Sequence, residues 1–174
     1  MGLFDIFKRS TDDASEELTD AGERRMKPRK DLLPGTKILV IDDSPTIVAA
    51  LRAMLVHGDQ FVVLEAFDAE SGLDIAEAQA VDIVFLDLIL PGMSGFTALR
   101  KLRQNEATRS IPVIVMSGNE QAIEEFYVQR IGADDFMKKP FSREEVYARI
   151  ERLINDDGAL ERPFRVDSGN AADN

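Results

Sequence analysis

The stretch DIVFLDLILPGMSG runs from Asp82 to Gly95. Its apolar run from Ile83 to Leu86 has no polar interruption, which is what a strand covered on both faces of a sheet requires. The run ends in a carboxylate, Asp87, and Pro91, Gly92 and Gly95 then supply the turn chemistry for a chain that must double back into a helix. A strand is therefore predicted from Asp82 to Leu86. Outward from it the same kind of run recurs at Lys37 to Ile41 (KILVI), Phe61 to Glu65 (FVVLE), Ile111 to Met116 (IPVIVM) and Asp134 to Met137 (DDFM). Amphipathic stretches separate these runs, and strands alternating with helices predict an α/β domain built on a parallel sheet.

Helix starts are marked in the gaps. Ser44 stands as N-cap with Pro45 at the first helical position, followed by Ile47, Leu51 and Leu55 at a spacing of four; the helix is expected to end near Gly58. Ser142 with Glu145 three residues on makes a capping box, and Phe141 and Val146 are placed to staple it. Further helices are read over Asp68 to Gln79, Gly95 to Arg103 and Asn119 to Gln129. Residues 1–36 lack sustained periodicity and end in LLPG, the signature of a flexible arm, and the small, polar residues 157–174 predict a disordered tail. One domain is left, over 37–156.

Composition removes several function classes. With no cysteine and one histidine among 174 residues, there is no material for a disulfide framework, a cysteine nucleophile or a zinc site. His57, near a predicted helix C-terminus, is read as structural or solvent-facing. A net charge of −11 opposes binding to a phosphate backbone, so no direct contact with nucleic acid is expected. No apolar run approaches the roughly 20 residues that span a bilayer, and the composition fits a cytoplasmic protein. Neither glycine-rich phosphate motif, G-x-x-x-x-G-K-[ST] or G-x-G-x-x-G, occurs.

The chemistry lies where open parallel sheets keep it, beyond the carboxyl ends of the strands. Asp42 and Asp43 follow the first run, Asp87 the third, Ser117 the fourth, and Lys138 and Lys139 the fifth. Each alone is an ordinary turn or surface residue; their joint placement at four of five strand ends is what carries information. Three clustered carboxylates repel unless a cation sits among them, and an all-oxygen set suits a hard divalent ion such as Mg²⁺. A carboxylate can accept a phosphoryl group, with a nearby lysine stabilising charge on the transferred oxygens. Asp87, after the most apolar central strand, is the best-placed acceptor.

KILVIDDSPT, DIVFLDLILPGMSG, PVIVMSG and DDFMKKPFS, in this order over about Lys37 to Asn155, resemble the CheY-like response regulator receivers of two-component signalling. The resemblance implies a five-stranded parallel sheet of order 2-1-3-4-5 with helices on both faces, the flavodoxin-like arrangement. It also implies that a histidine kinase phosphorylates Asp87 with Mg²⁺ as cofactor. Asp43 and Asp87 would ligate the ion directly, with the backbone carbonyl of Ile89 as a further ligand and Asp42 nearby or through water. Ser117 would follow the phosphoryl group, Lys139 would pair with it, and Phe136 matches the family's switch aromatic. Ile89 and Asn119 stand where receivers vary and where access of hydrolytic water is tuned. The surface expected to switch comprises the helix over Asn119 to Gln129, the strand over Asp134 to Met137 and the helix after Ser142. With only 18 residues after Asp156, output is expected through a separate protein target, in a chemosensory or motility pathway among the options.

A phosphatase of the haloacid dehalogenase type shares a strand-end Asp, a Ser or Thr, a Lys and Mg²⁺, but needs a second Asp two residues after its nucleophile. Here those positions are Ser44, Pro45 and Ile89. At the start of the arm, Leu3, Phe4 and Phe7 fall at helical spacing before Lys8 and Arg9. Residues 2–9 are expected to fold against a partner protein, a second copy in a homodimer or, more weakly, a membrane surface.

Overall fold

The computed structural model of the chain describes residues 34–56, 61–118, 130–155 and 159–160. Residues 1–33 of the arm, His57, Asn119 with the helix expected up to Gln129, and the tail from 161 lie outside the described residues. The described elements are β1 (Thr36–Ile41), α1 (Pro45–Leu55), β2 (Phe61–Ala66), α2 (Ala69–Ala78), β3 (Ile83–Asp87), α3 (Gly95–Gln104), β4 (Val113–Ser117), β5 (Asp135–Lys138) and, last in the chain, α4 (Arg143–Arg152). All neighbouring strands are parallel and the order is β2-β1-β3-β4-β5, as expected.

The unbroken apolar runs are explained by two cores, one on each face. Because successive residues of a strand point to opposite faces, Leu39 and Ile41, Val84 and Leu86, and Val113 and Val115 feed one cluster with Ala76 of α2 and Leu99 and Leu102 of α3. Ile38 and Val40, Ile83 and Phe85, and Ile114 and Met116 feed the other with Leu51 and Leu55 of α1 and Val146 and Ile150 of α4. Two layers of helices therefore hold the strands rigid. Leu160, within the segment expected to be disordered tail, packs against this second cluster, and its backbone bridges to Ile154.

The capping expectations differ in outcome. Ser142 Oγ accepts from Glu145 N at 3.2 Å, which is the N-cap half of the expected capping box, while the Glu145 carboxylate pairs with Arg149 at 3.2 Å. Asp68 caps α2, its carboxylate accepting from Ser71 N at 2.7 Å. Ser44 occupies the N-cap of α1, yet its side chain makes no capping bond. Its own N–H instead donates to Asp42 Oδ1 at 3.0 Å, which ties the helix start to the strand end. β3, β4 and β5 each end one residue later than the apolar runs suggest, because Leu88 N still bonds Met116 O (3.1 Å) and Lys139 N bonds Ser117 O (2.8 Å). Asp87 and Ser117 are thus the last rungs of the ladder and share its rigidity.

Candidate functional site: an acidic cluster closed by a lysine

The carboxyl edge of the sheet brings together the residues read from the sequence. Carboxylate oxygens of Asp42, Asp43 and Asp87 lie within 4.8 Å of one another. Asp42 is fully buried and Asp87 is 4% exposed, whereas Asp43 is exposed. Asp42 still bonds the neighbouring strand through its N–H to Ala66 O at 3.1 Å, whereas Asp43 lies in the bend before α1 and faces solvent.

Lys139 closes the cluster. Its ammonium is 2.6 Å from Asp42 Oδ2 and 3.0 Å from Asp87 Oδ2, and its side chain is only 17% exposed. Asp42 Oδ2 is sealed from solvent and receives no hydrogen bond with good geometry, so the ammonium contacts it off the hydrogen-bonding direction. That leaves a buried carboxylate oxygen with coordinating capacity to spare. Burial pushes the Asp87 carboxyl above the usual carboxylate range, with the Asp42 charge adding to the rise; the hydrogen bond and charge of Lys139 and a backbone hydrogen bond at Ile89 oppose it. Burial thus penalises the charged form of Asp87, and the neighbouring ammonium offsets part of that penalty.

Local backbone geometry holds the end of β3 in place. A Cβ on Gly95 would run into the Asp87 carbonyl and come within 2.7 Å of Leu88 Cα. Only glycine lets the first turn of α3 close on the strand end, where Gly95 N bonds Leu88 O at 3.0 Å. Gly92, at φ +75, makes the preceding turn. Leu88 and Leu90 are buried in the core cluster, and Ile89 between them projects outward, 64% exposed, at the rim of the acidic cluster.

Ser117 is fully buried at the end of β4. Phe136 is partly buried in the cluster shared with α2 and α3, and pairs in register with Val115. Ser117 and Val115 are two residues apart, so Ser117 and Phe136 lie on one face of adjacent strands as diagonal neighbours.

Two backbone donors were not singled out from the sequence: Ser44 N, which donates to Asp42, and the Ile89 N–H, as distinct from its carbonyl, which acts on Asp87. Both stand two residues after an aspartate, the spacing of the Asx turn, which is the signal that could have found them. Remote from this edge, the Asp134 carboxylate is paired with Arg103 at 2.7 Å and accepts from Val113 N at 2.8 Å, fixing the opposite end of the β4–β5 ladder.

A family model described as the response regulator receiver domain matches residues 38–151. The chain is 36% identical over 119 residues to protein PilH of Pseudomonas aeruginosa, covering 68% of this chain and 97% of that one. It is 35% identical over 143 residues to the sensory transduction protein RegX3 of Mycolicibacterium smegmatis, covering 76% of this chain and 61% of RegX3. Among solved structures, it is similar to the receiver domain of the sensor histidine kinase PA1611 from Pseudomonas aeruginosa, which has a magnesium ion coordinated in its active site cleft. That match has a TM-score of 0.61 and 30% identity, over 68% of this chain and 95% of that one. It is also similar to the CheX–CheY–BeF3–Mg complex of Borrelia burgdorferi, with a TM-score of 0.64 and 26% identity, over 70% and 90% of the two chains.

Proposed function

The chain belongs to the response regulator receiver family of two-component signalling, and from that membership we propose that a histidine kinase, or a small phosphodonor, transfers a phosphoryl group to Asp87 when a divalent cation is bound. One observation carries the reading: a buried acid whose carboxyl is held high by desolvation stands between two further acids and a lysine. Such an acid is costly to keep charged, so its place here is explained by chemistry rather than by stability.

Asp42, Asp43 and Asp87, with the Ile89 carbonyl, would hold Mg²⁺. The spare oxygen of Asp42 and the exposed position of Asp43 suit an ion that enters from solvent. When bound, the ion would neutralise the clustered charge and that of the phosphoryl oxygens. A carboxylate oxygen of Asp87 forms the new O–P bond as the donor's N–P bond breaks, and the leaving imidazole takes up a proton. Lys139 Nζ, at 3.0 Å from Asp87, then pairs with the phosphoryl oxygens in place of the carboxylate charge they replace. Ser117 and Phe136, as diagonal neighbours, would pass the change to the surface expected over Asn119 to Gln129, β5 and α4. Slow hydrolysis of the acyl phosphate by water, tuned at Ile89 and Asn119, resets the switch. The protein is a signalling component and not an enzyme with a turnover substrate.

Output passes to a separate protein target in the cytoplasm, in a chemosensory or motility pathway, a reading that the likeness to PilH supports. Residues 2–9 fold against a protein partner, a second copy or, weakly, a membrane surface. Among the described residues no helix is long and apolar enough to cross a membrane.

The test is incorporation of labelled phosphate by the wild type, by Asp87→Asn and by Asp43→Ala, with and without a chelator. Labelling only of the wild type, and only with Mg²⁺, is expected; wild-type labelling of Asp87→Asn would overturn the assignment. Sustained turnover of phosphomonoesters would instead favour a phosphatase. Beryllofluoride should shift resonances from Ser117 through Phe136 to Tyr147, and shifts confined to the loop after Asp87 would refute the switch route.

A further inference from the structure

Helix α2 carries Glu70, Asp74 and Glu77 at spacings of four and three, which places the three carboxylates in one stripe along the helix. All three are exposed, and among the described residues none of these carboxylates enters an ion pair or hydrogen bond. The helix contains no Lys or Arg, so nothing of its own offsets either the repulsion within the stripe or the negative end of its dipole. Asp74 and Glu77 also line an open, largely polar groove toward α3, where Lys101 is the only cation among the groove's described residues. A like-charged stripe of this kind is complementary in charge to a cationic segment.

A cationic segment of the same chain precedes β1 in the sequence. Lys37 N donates to Asp82 Oδ2 at 2.7 Å and Lys37 Nζ donates to Gln79 O at 3.0 Å, so the described chain starts against the C-terminal end of α2. Upstream of Pro34, residues 24–30 read RRMKPRK, with five cations and no acid, in a chain whose net charge is −11. Extended chain from Thr36 reaches up to about 20 Å by Lys30 and about 40 Å by Arg24. The stripe is closer than that, since Glu70 lies about 14 Å along the helix from Gln79.

We propose that residues 24–30 of this same chain dock along the Glu70–Asp74–Glu77 stripe of α2. Exposed ion pairs are individually weak, and a short tether supplies the effective concentration that makes several of them add up. The docked arm lies on the sheet face opposite α4, and leaves the surface of β5 and α4 clear.

The absence of cysteine allows a single nitroxide to be attached to Met26→Cys in the full chain. Paramagnetic loss of amide intensity is expected across residues 70–78 and around Lys101, well above any loss in α4. The loss should disappear in the Glu70→Lys, Asp74→Lys, Glu77→Lys variant and in high salt, with the spectrum of the folded core otherwise retained. Broadening centred on β5 and α4, no broadening at all, or persistence of the α2 broadening after charge reversal would overturn the proposal. So would broadening that arises only between labelled and unlabelled molecules, which would make the occupant a second copy.

Discussion

Replacing Lys139 with Met keeps the aliphatic stem and removes the ammonium that stands between two buried carboxylates. At an effective dielectric of about 20, the contacts at 2.6 Å and 3.0 Å are each worth about 6 kcal/mol of gross attraction. Most of that is offset by the water all three groups lose, and breaking a buried pair typically costs about 3–5 kcal/mol. The cost here is capped, because Asp87, already held above the usual carboxylate range by burial, can discharge by taking up a proton. The expected loss near neutral pH in chelator is about 2–3 kcal/mol, a fall in Tm on the order of 10 °C. A carboxyl whose folded pKa is raised contributes stability that is full below its unfolded pKa and is lost as pH rises through the folded value. The variant raises that folded value further, so its deficit should shrink steadily as the solution is acidified from neutrality toward the carboxylate range. Urea or thermal unfolding followed by circular dichroism measures this, and added Mg²⁺ should recover part of the loss. A deficit that is negligible, or that does not change with pH, would refute the view that Lys139 acts by neutralising Asp42 and Asp87.

Asp87→Asn removes the charge that desolvation penalises; it should stabilise the fold by about 1 kcal/mol at neutral pH, an advantage that fades on acidification, read from the denaturation midpoint. Ala80, at the end of α2, is held at φ +46, and Ala80→Gly should raise stability by about 0.5–1 kcal/mol in the same assay, with phosphate incorporation unchanged. Gly95→Ala forces a methyl group onto the Asp87 carbonyl and Leu88 Cα. It should cost about 2–3 kcal/mol in chemical denaturation and slow phosphorylation by displacing the acceptor.

Much of the fold could be read in advance because each central strand feeds two cores, and that requirement writes an unbroken apolar run such as Ile83 to Leu86 into the sequence. The site was legible for a related reason: the strand ends meet at one edge whatever the side-chain details. What the runs do not encode is the last hydrogen-bonded rung, set by partners on the neighbouring strand, so Asp87 and Ser117 were placed just outside strands that in fact include them. Nor does local sequence reveal pairs such as Arg103 with Asp134, which lie 31 residues apart and meet only after β4 and β5 align. The contact of Leu160 with the core is hidden for the same reason, in a stretch whose composition reads as solvated chain. Strand alternation separates Asp42 from Asp43, but both faces of β1 are covered, so the run itself does not say which acid is buried.

The central claim is that Asp87 becomes an acyl phosphate. Incubating the protein with Mg²⁺ and a small phosphodonor, then reducing with borohydride, converts an aspartyl phosphate to homoserine, which peptide mass mapping locates. Homoserine is expected at position 87, dependent on the divalent ion and absent from positions 42 and 43. Conversion at either of those positions, or none at 87 in a folded protein with Mg²⁺ present, would contradict it.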